Sequence, residues 1–375
     1  MLGINTPSFY ISESGAINKI GETALRAVRQ QSKKALVVWS KTAKEVTQEK
    51  IKASLAAAGI GYEEILFEGF PTYQRAEQYA ACAAQEHADF FLAVGGGRVM
   101  DTTKIAATYA NIPVITVPTI AATCACWAAV SIVYTDDGDC LEGFMNPKSA
   151  VAVIADTEIL SKAPIRYIKA GVVDTMAKWY ELQTDAASAE DFATQISLHS
   201  AKLSVTYLEE NGKEVIDRIQ QGIIDERTVK VMDAVIFLQG TVGSFVGRKA
   251  FAGFAHPFYN SSRRVFSTHQ KLHAEVVAFG LIAQAVLLKK SPEEIQRMLR
   301  IFDRFEQVYT LEDLGLAENA AEKVNTIAKR LHDFPNTVTG KDTPVTILEH
   351  AIFEANNYTT AFKKDLPQEV KGQED

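Results

Sequence analysis

The sequence has few cysteines and little proline. Of its 375 residues, 11 are prolines and four are cysteines, namely Cys82, Cys124, Cys126 and Cys140. So few cysteines in a chain of this length do not form a disulfide framework, and the Cys-Ala-Cys spacing is not that of a zinc ribbon or a thioredoxin site. We therefore expect reduced cysteines that belong to the packing or to a pocket wall.

Basic surface and long apolar runs are also lacking. The formal net charge is −7 with no basic stripe, which argues against a nucleic-acid partner. The first residues lack a charged segment followed by an apolar core, and no apolar run reaches membrane-spanning length. With 47% hydrophobic and 23% charged residues, the composition is that of a soluble globular protein. We expect a cytoplasmic protein with no membrane partner.

The first 160 residues alternate between short apolar runs and amphipathic stretches. The predicted strands are 35–39, 65–67, 90–94, 113–118 and 149–155, and the predicted helices are 43–58, 74–87 and a helix from Asp101. Strands and helices that alternate at this rhythm indicate a doubly wound parallel sheet.

After residue 160 the pattern becomes helical. The long periodic segments are 188–209, 226–247, 273–290 and 345–362. The predicted fold is therefore α/β, with a doubly wound parallel-sheet domain over 1–160 followed by an all-helical domain over 161–375. The boundary is expected between residues 155 and 165, and a polar tail follows Leu366.

A glycine run directly follows the apolar strand that ends at Val94. Gly95, Gly96 and Gly97 lead into the next helical pattern, where Asp101 and Lys104 lie three residues apart. Glycines let the backbone approach a ligand, and the amides at a helix N-terminus favour anions. The run thus predicts a pyrophosphate site with both side chains near a dinucleotide, and a tight turn is the structural alternative.

Three polar residues in the helical half form a possible metal-ligand set. Asp174 begins an amphipathic helical pattern, His256 precedes a proline, and His273 opens an apolar segment. Each one alone is accounted for by a helix dipole, a buried histidine or a helix N-terminus. One carboxylate and two imidazoles together match an open catalytic metal site, although spacing alone does not prove that they converge.

Four linked motifs resemble the glycerol dehydrogenase branch of the iron-containing (group III) alcohol dehydrogenase superfamily. They are Gly-Gly-Gly-Arg-Val-Met-Asp-Thr-Thr-Lys at 95–104, Val-Pro-Thr-Ile-Ala-Ala-Thr at 117–123 with Ser-Ile-Val-Tyr at 131–134, Ala-Gly-Val-Val-Asp at 170–174, and the two histidine contexts. The resemblance runs from Tyr10 to about Thr360. It implies a dehydroquinate synthase-like fold with a cleft between the two domains, and a homo-oligomer.

The resemblance also implies an activity and site residues. The expected enzyme is an NAD(P)-dependent, metal-dependent oxidoreductase that interconverts a small alcohol or polyol and its carbonyl. The implied metal ligands are Asp174, His256 and His273, with zinc as the usual ion of the branch. The implied cofactor contacts are Gly95, Gly96 and Gly97 at the pyrophosphate, Asp101 near the nicotinamide, and Thr116, Thr119, Ser131 and Tyr134 along the channel.

Two departures from the family pattern bear on the substrate. Cys124 stands where glycerol dehydrogenases carry an aspartate that binds the polyol, and a thiol is a weaker hydrogen-bond acceptor. Lys178, one helical turn after Asp174, stands where the iron-dependent branch has a histidine ligand. Lys178 either pairs with a nearby carboxylate or binds a substrate carboxylate. The second case favours a 2-hydroxy or 2-oxo acid over a polyol.

The residues after the strand at 35–39 bear on the nicotinamide. NAD-preferring members have an acidic residue near this point, whereas this chain has Ser40 and Lys41. A cation in place of a carboxylate permits NADP.

Two further classes stay open at this point. A dehydroquinate synthase-like lyase would bind a phosphorylated substrate, and Arg263 and Arg264 are available for that role. A nucleotide sensor without turnover would bind the cofactor alone, and the retained ligand set argues against it.

Overall fold

The computed structural model describes residues 4–29, 31–183, 191–334, 336–340 and 342–366. By proximity of Cα atoms the chain divides into two compact units, Met1–Ala250 and Phe251–Asp375.

The first unit is built on a parallel sheet. Its strands, numbered along the chain, are β1 (Phe9–Glu13), β2 (Lys34–Trp39), β3 (Gly61–Leu66), β4 (Phe90–Gly95), β5 (Val114–Pro118), β6 (Val130–Tyr134), β7 (Cys140–Met145) and β8 (Ala152–Asp156). Six strands form one sheet in the order β1-β8-β5-β4-β2-β3, and all of its neighbours are parallel. β6 and β7 form a separate antiparallel pair. The predicted doubly wound parallel sheet is confirmed.

The helices between these strands are α1 (Ile20–Ala27), α2 (Lys41–Ala57), α3 (Tyr73–Gln85) and α4 (Gly97–Ala110). The central strands are buried along their length, as expected for parallel strands covered by helices. Trp39 and Phe90 are fully buried in the core that the sheet shares with α1 and α2. In register, Trp39 pairs with Val94 and Gly95 pairs with Pro118, so the carboxyl ends of β2, β4 and β5 meet at one edge.

After β8, every element in the described ranges is helical. The first unit continues with α5 (Thr157–Lys162), α6 (Ile165–Leu182), α7 (Phe192–Tyr207), α8 (Lys213–Gln220), α9 (Glu226–Asp233) and α10 (Gln239–Val246). The second unit contains α11 (Ala255–Ser262), α12 (His273–Leu287), α13 (Pro292–Asp303), α14 (Ala320–Asp333) and α15 (Val345–Asp365).

Strand content ends at Asp156, inside the boundary region predicted from the sequence. The helical segments predicted from residues 191, 226, 273 and 345 onward are present. The start of the first segment, at 188–190, and the tail from residue 367 lie outside the described residues. The division into functional domains at residue 160 stays a prediction.

Two short π-helical segments interrupt the helices of the first unit. Leu208–Gly212 joins α7 to α8, and Ala234–Leu238 joins α9 to α10. The continuous run Glu226–Val246 is 21 residues long and apolar enough to cross a membrane, which the sequence analysis did not expect of any segment. Core helices of soluble proteins pass the same test, and Val231 and Val235 within this run are fully buried.

Two boundaries differ from the sequence analysis. α4 begins at Gly97 and not at Asp101, because the third glycine already has helical backbone geometry. α6 begins at Ile165, immediately after Pro164, so Asp174 lies in the middle of a helix and not at its start. An interaction with the helix dipole therefore does not explain why an aspartate is present at position 174.

Candidate functional site

The turn after β4 requires glycine at Gly95 and is crowded at Gly96. Gly95 has φ of +152°, and a Cβ there would lie 2.9 Å from Cγ2 of Val99. A Cβ on Gly96 would lie 2.9 Å from Cδ1 of Ile120, whereas one on Gly97 would reach Ala125 only at 3.5 Å. Gly95 and Gly96 therefore allow the turn itself. Gly97 is not required by the contacts of the described residues, and its role toward a ligand stays a prediction.

The N-terminus of α4 has the features of an anion site. Its N-cap, Gly96, provides no side-chain acceptor, and the first turn contains no acidic residue. Arg98 in this turn is exposed and its guanidinium lies 4.3 Å from the ring centre of Phe70. Helix-terminal amides with a nearby cation and no competing carboxylate are suited to a phosphate group.

Lys104 in α4 does not act as the sequence suggested. Lys104 is buried, and its Nζ donates to the carbonyl oxygens of Ala125, Ala128 and Val130 at 2.9, 2.8 and 2.6 Å. The same Nζ lies 3.2 Å from Oδ1 of Asp101. Lys104 thus fixes the loop before β6 and is not directed at a dinucleotide. The cofactor role of Asp101 stays a prediction.

The four predicted channel residues occupy different environments. Thr116 in β5 is fully buried and donates to the carbonyl of Cys126 at 2.8 Å, and Ser131 in β6 accepts from Asn146 at 3.0 Å. Thr119 is half-buried and its amide donates to the carbonyl of Gly95 at 3.1 Å. Tyr134 is also half-buried. Thr119 therefore lies next to the glycine turn, while Thr116 and Ser131 already have structural partners.

Ser40 and Lys41 lie at the carboxyl end of β2. The Oγ of Ser40 would be 3.3 Å from a Cβ built on Gly95, so Ser40 borders the glycine turn. Lys41 is the first residue of α2 and is exposed. Both residues therefore stand on the same sheet edge as the turn.

Asp174 belongs to a buried polar cluster between α6 and α10. Its Oδ2 accepts a hydrogen bond of 2.6 Å from Nε2 of Gln239, which is the first residue of α10. Asp174 is 3% exposed and Gln239 is 1% exposed. Sequence reasoning missed Gln239, because nothing local to residue 239 signals a partner 65 positions earlier.

Lys178 and Cys124 join the same cluster. Nζ of Lys178 lies 3.3 Å from Sγ of Cys124 and donates to the carbonyl of Gln239 at 3.1 Å. Both Lys178 and Cys124 are buried. The structure thus links three of the sequence-predicted residues: Asp174 and Lys178 both contact Gln239, and Cys124 contacts Lys178.

The thiol of Cys126, two residues after Cys124, is uncharged. Burial raises the pKa of Cys126 to about 12, with a smaller contribution from Cys124. Cys126 is therefore a neutral thiol at physiological pH. All four cysteines are free, which agrees with the expectation of reduced cysteines.

In the second unit, His256 and His273 lie side by side. His256 is the second residue of α11 and His273 the first of α12, and their ring centres are 5.2 Å apart. The ring of Tyr259 packs edge-on against His273 at 4.2 Å. A Cβ on Gly280 would lie 2.9 Å from Cα of Ala255, so the glycine lets α12 approach α11 closely.

The two arginines considered for a phosphorylated substrate have different positions. Arg263 is 1% exposed, and its Nη1 donates to the carbonyl of Thr268 at 3.1 Å. Arg264 is exposed. A buried arginine that serves the backbone is not available for a substrate phosphate, which weakens the lyase alternative.

Comparison with known proteins gives one consistent family. A sequence profile of the iron-containing alcohol dehydrogenase family matches residues 7–157. The chain is 28% identical over 348 residues to glycerol dehydrogenase of Pseudomonas putida, which covers 90% of this chain and 93% of that protein. It is 29% identical over 342 residues to hydroxycarboxylate dehydrogenase A of Escherichia coli K12, which covers 89% and 92%.

Two further similarities extend this result. An oxidoreductase of Synechocystis is 30% identical over 276 residues, which cover 70% of this chain and 71% of that protein. The crystal structure of a probable glycerol dehydrogenase from Sinorhizobium meliloti superposes with a TM-score of 0.86 at 23% identity, and covers 96% of this chain and 100% of its own. The chain therefore belongs to the iron-containing alcohol dehydrogenase family, in its glycerol dehydrogenase-like branch, and is an oxidoreductase that acts on CH–OH donors.

Proposed function

We propose that the protein interconverts a small alcohol or polyol and its carbonyl with NAD or NADP and one divalent metal ion held by Asp174, His256 and His273. The observation that carries this proposal is the retention of one buried carboxylate and two adjacent imidazoles in a chain of this family. A carboxylate and two imidazoles suit zinc, and three protein ligands leave a position for substrate. Zinc is therefore the proposed ion.

The bound groups supply chemistry that the side chains lack: a divalent ion polarises the substrate oxygen, and the nicotinamide exchanges hydride with the substrate carbon. The chain's own residues bind and orient. Gly95, Gly96 and Gly97, with the amides of α4, hold the pyrophosphate. Asp101, Thr116, Thr119, Ser131 and Tyr134 line the cofactor channel in this proposal. The main task of the protein is to hold the substrate carbon close to the nicotinamide carbon that exchanges hydride with it.

The substrate class depends on Cys124 and Lys178. Relatives named glycerol dehydrogenase support a polyol, and the relative named hydroxycarboxylate dehydrogenase A supports an acid. One observation favours the acid as a second candidate, namely the buried ammonium of Lys178 beside a thiol. The thiol of Cys124 does not repel an anion, so Lys178 and Cys124 together are compatible with a substrate carboxylate. An aspartate at position 124 would repel that carboxylate.

Lys41 supports NADP as the preferred nicotinamide. Residues 40–42 contain no carboxylate to repel a 2′-phosphate, and the exposed ammonium of Lys41 attracts one. A cytoplasmic homo-oligomer, as in the family, completes the proposal.

The test is a substrate screen with a metal control. Polyols, aldehydes and 2-oxo acids are assayed with both nicotinamides, before and after removal of metal and after addition of Zn²⁺. We expect a stoichiometric change in nicotinamide absorbance that is lost with the metal and restored by zinc. His256→Ala should abolish turnover and keep nicotinamide binding, whereas the exposed His332 gives a control variant, His332→Ala, with normal turnover.

Full activity in a metal-free sample would reject the metal proposal, and absence of net redox change would favour the lyase. For the acid substrate, Lys178→Met should raise KM for a 2-oxo acid at least tenfold more than KM for a neutral aldehyde. Equal changes in both constants would assign Lys178 a structural role only.

A further inference from the structure

Gln239 contacts two of the site residues through two different groups. Its side-chain amide donates to Asp174 and its backbone carbonyl accepts from Lys178. We propose that Gln239 is a positioning residue that fixes the carboxylate of Asp174 for metal binding. This inference rests on the proposed function, because it requires Asp174 to be a ligand.

The hydrogen bond has the properties of a strong, orienting contact. At 2.6 Å it is short for an N–H donor to an oxygen acceptor, and an ionised acceptor strengthens such bonds. Both residues are nearly inaccessible to water, so no solvent competes for the donor. The bond therefore fixes the rotation of the carboxylate before any ion arrives.

The hydrogen bond to Asp174 is the contact that orients the side-chain amide of Gln239. Within the described part of the chain, Oε1 of Gln239 is buried and has no hydrogen-bond partner. A buried acceptor without a partner is unfavourable for stability. An apolar side chain of the same size would avoid this cost, but it would also remove the donor to the buried carboxylate of Asp174, so the two effects on stability oppose each other.

Two glycines let the helices of this pair pack closely on the loop before β6. A Cβ on Gly171, three residues before Asp174, would lie 2.1 Å from the carbonyl oxygen of Ala121 and 2.9 Å from Cγ1 of Val235. A Cβ on Gly240, next to Gln239, would lie 2.3 Å from the Trp127 ring. Neither position accepts a side chain, so α6 lies close to the backbone at Ala121 and the first turn of α10 lies close to Trp127.

The test measures metal affinity and stability separately. Metal-free protein is titrated with Co²⁺, followed by its visible absorption bands and by competition with a chromophoric chelator. Thermal unfolding is recorded for the same metal-free samples. For Gln239→Met we expect Co²⁺ binding about 10–100-fold weaker, the range found when a partner of a metal ligand is removed.

A matched control is available in Gln307. It is also a buried glutamine whose Oε1 has no partner in the described residues, and its Nε2 donates to a backbone carbonyl at 3.3 Å. Gln307→Met should leave the Co²⁺ affinity unchanged. Gln239→Glu keeps the shape but replaces the donor with a second carboxyl group, and it should alter the absorption bands.

Asp174→Asn distinguishes the two proposals. If Asp174→Asn weakens Co²⁺ binding and Gln239→Met does not, only the positioning role is rejected. If Asp174→Asn binds Co²⁺ as the parent protein does, the proposed metal site is wrong as well. A lower Tm for Gln239→Met at unchanged affinity would also overturn the inference, since that is the result of a structural role.

Discussion

The glycine turn at 95–97 and the cluster around Gln239 are built in different ways. The turn depends on backbone shape, because Gly95 has a positive φ and the ammonium group of Lys104 holds the adjoining loop by donating to three of its carbonyl oxygens. The cluster is a matter of side chains, in which Asp174, Lys178 and Gln239 project from regular helices. A change in the turn should therefore lower the stability of the fold and the affinity for nicotinamide together. A change in the cluster should alter metal affinity without an equal change in stability.

The largest expected effect on stability comes from Lys104→Met. This change leaves the carboxylate of Asp101 without its ion-pair partner and removes the donor to three carbonyl oxygens. Losing one partner of a buried pair costs about 3–5 kcal/mol, so the free energy of unfolding in urea should fall by about that amount. Nicotinamide affinity should fall with it.

The control for this variant is Lys52→Met on α2. Lys52 is a surface residue that lies 3.7 Å from Glu49, and exposed pairs of this kind contribute little. Unfolding of Lys52→Met should match the parent protein. If Lys104→Met behaved in the same way, the loop before β6 would not depend on the lysine and the contrast between the regions would fail.

Gly95→Ala is expected to have an intermediate effect. A side chain at this φ costs about 1–3 kcal/mol, and the added Cβ would press on Val99. Both the unfolding free energy and the affinity for nicotinamide, measured by fluorescence titration, should decrease.

Gly97→Ala sharpens the same comparison. The added Cβ would make only ordinary van der Waals contacts, so the free energy of unfolding should stay within about 0.5 kcal/mol of that of the parent protein. The affinity for the cofactor should decrease, because the Cβ lies at the first residue of α4, where the pyrophosphate is proposed to bind. Equal stability losses for Gly95→Ala and Gly97→Ala would contradict the assignment of different roles.

The smallest expected effect is that of Lys41→Glu. Reversal of this exposed charge should shift the ratio of the dissociation constants for NADPH and NADH about tenfold toward NADH, with no change in unfolding. The control is Lys50→Glu on the same helix. A shift of the same size in both variants would indicate a general surface-charge effect rather than recognition of a 2′-phosphate by Lys41.

The features that could be predicted from the sequence are those that local residue patterns determine. Buried strands such as β2 and β4 have continuous apolar runs, and the glycines after Val94 form the turn that was predicted at the end of β4. The helical second half and the family were also predicted, and both are confirmed. The metal ligands, the cofactor contacts and the domain division stay predictions.

Features that depend on contacts between distant positions could not be predicted. The β6–β7 pair was missed because its strands are only partly buried and lack a continuous apolar run. Lys104 was assigned to a ligand because the sequence does not show that three carbonyls surround its ammonium group. The partnership of Gln239 and Asp174 depends on the packing of α6 against the helices that follow it, which no local pattern encodes.

The π-helical segment Ala234–Leu238 has a consequence for how this site tolerates insertions and deletions. A π-turn contains one residue more than an α-turn for nearly the same rotation, so removing one residue from it would let α9 and α10 join as an ordinary α-helix while the later side chains keep their direction. Removing one residue from the regular part of α9 would instead turn every later side chain by about 100°, and Gln239 would then point away from Asp174. The π-helical segment is therefore the place in this helix where a change of chain length disturbs the site least.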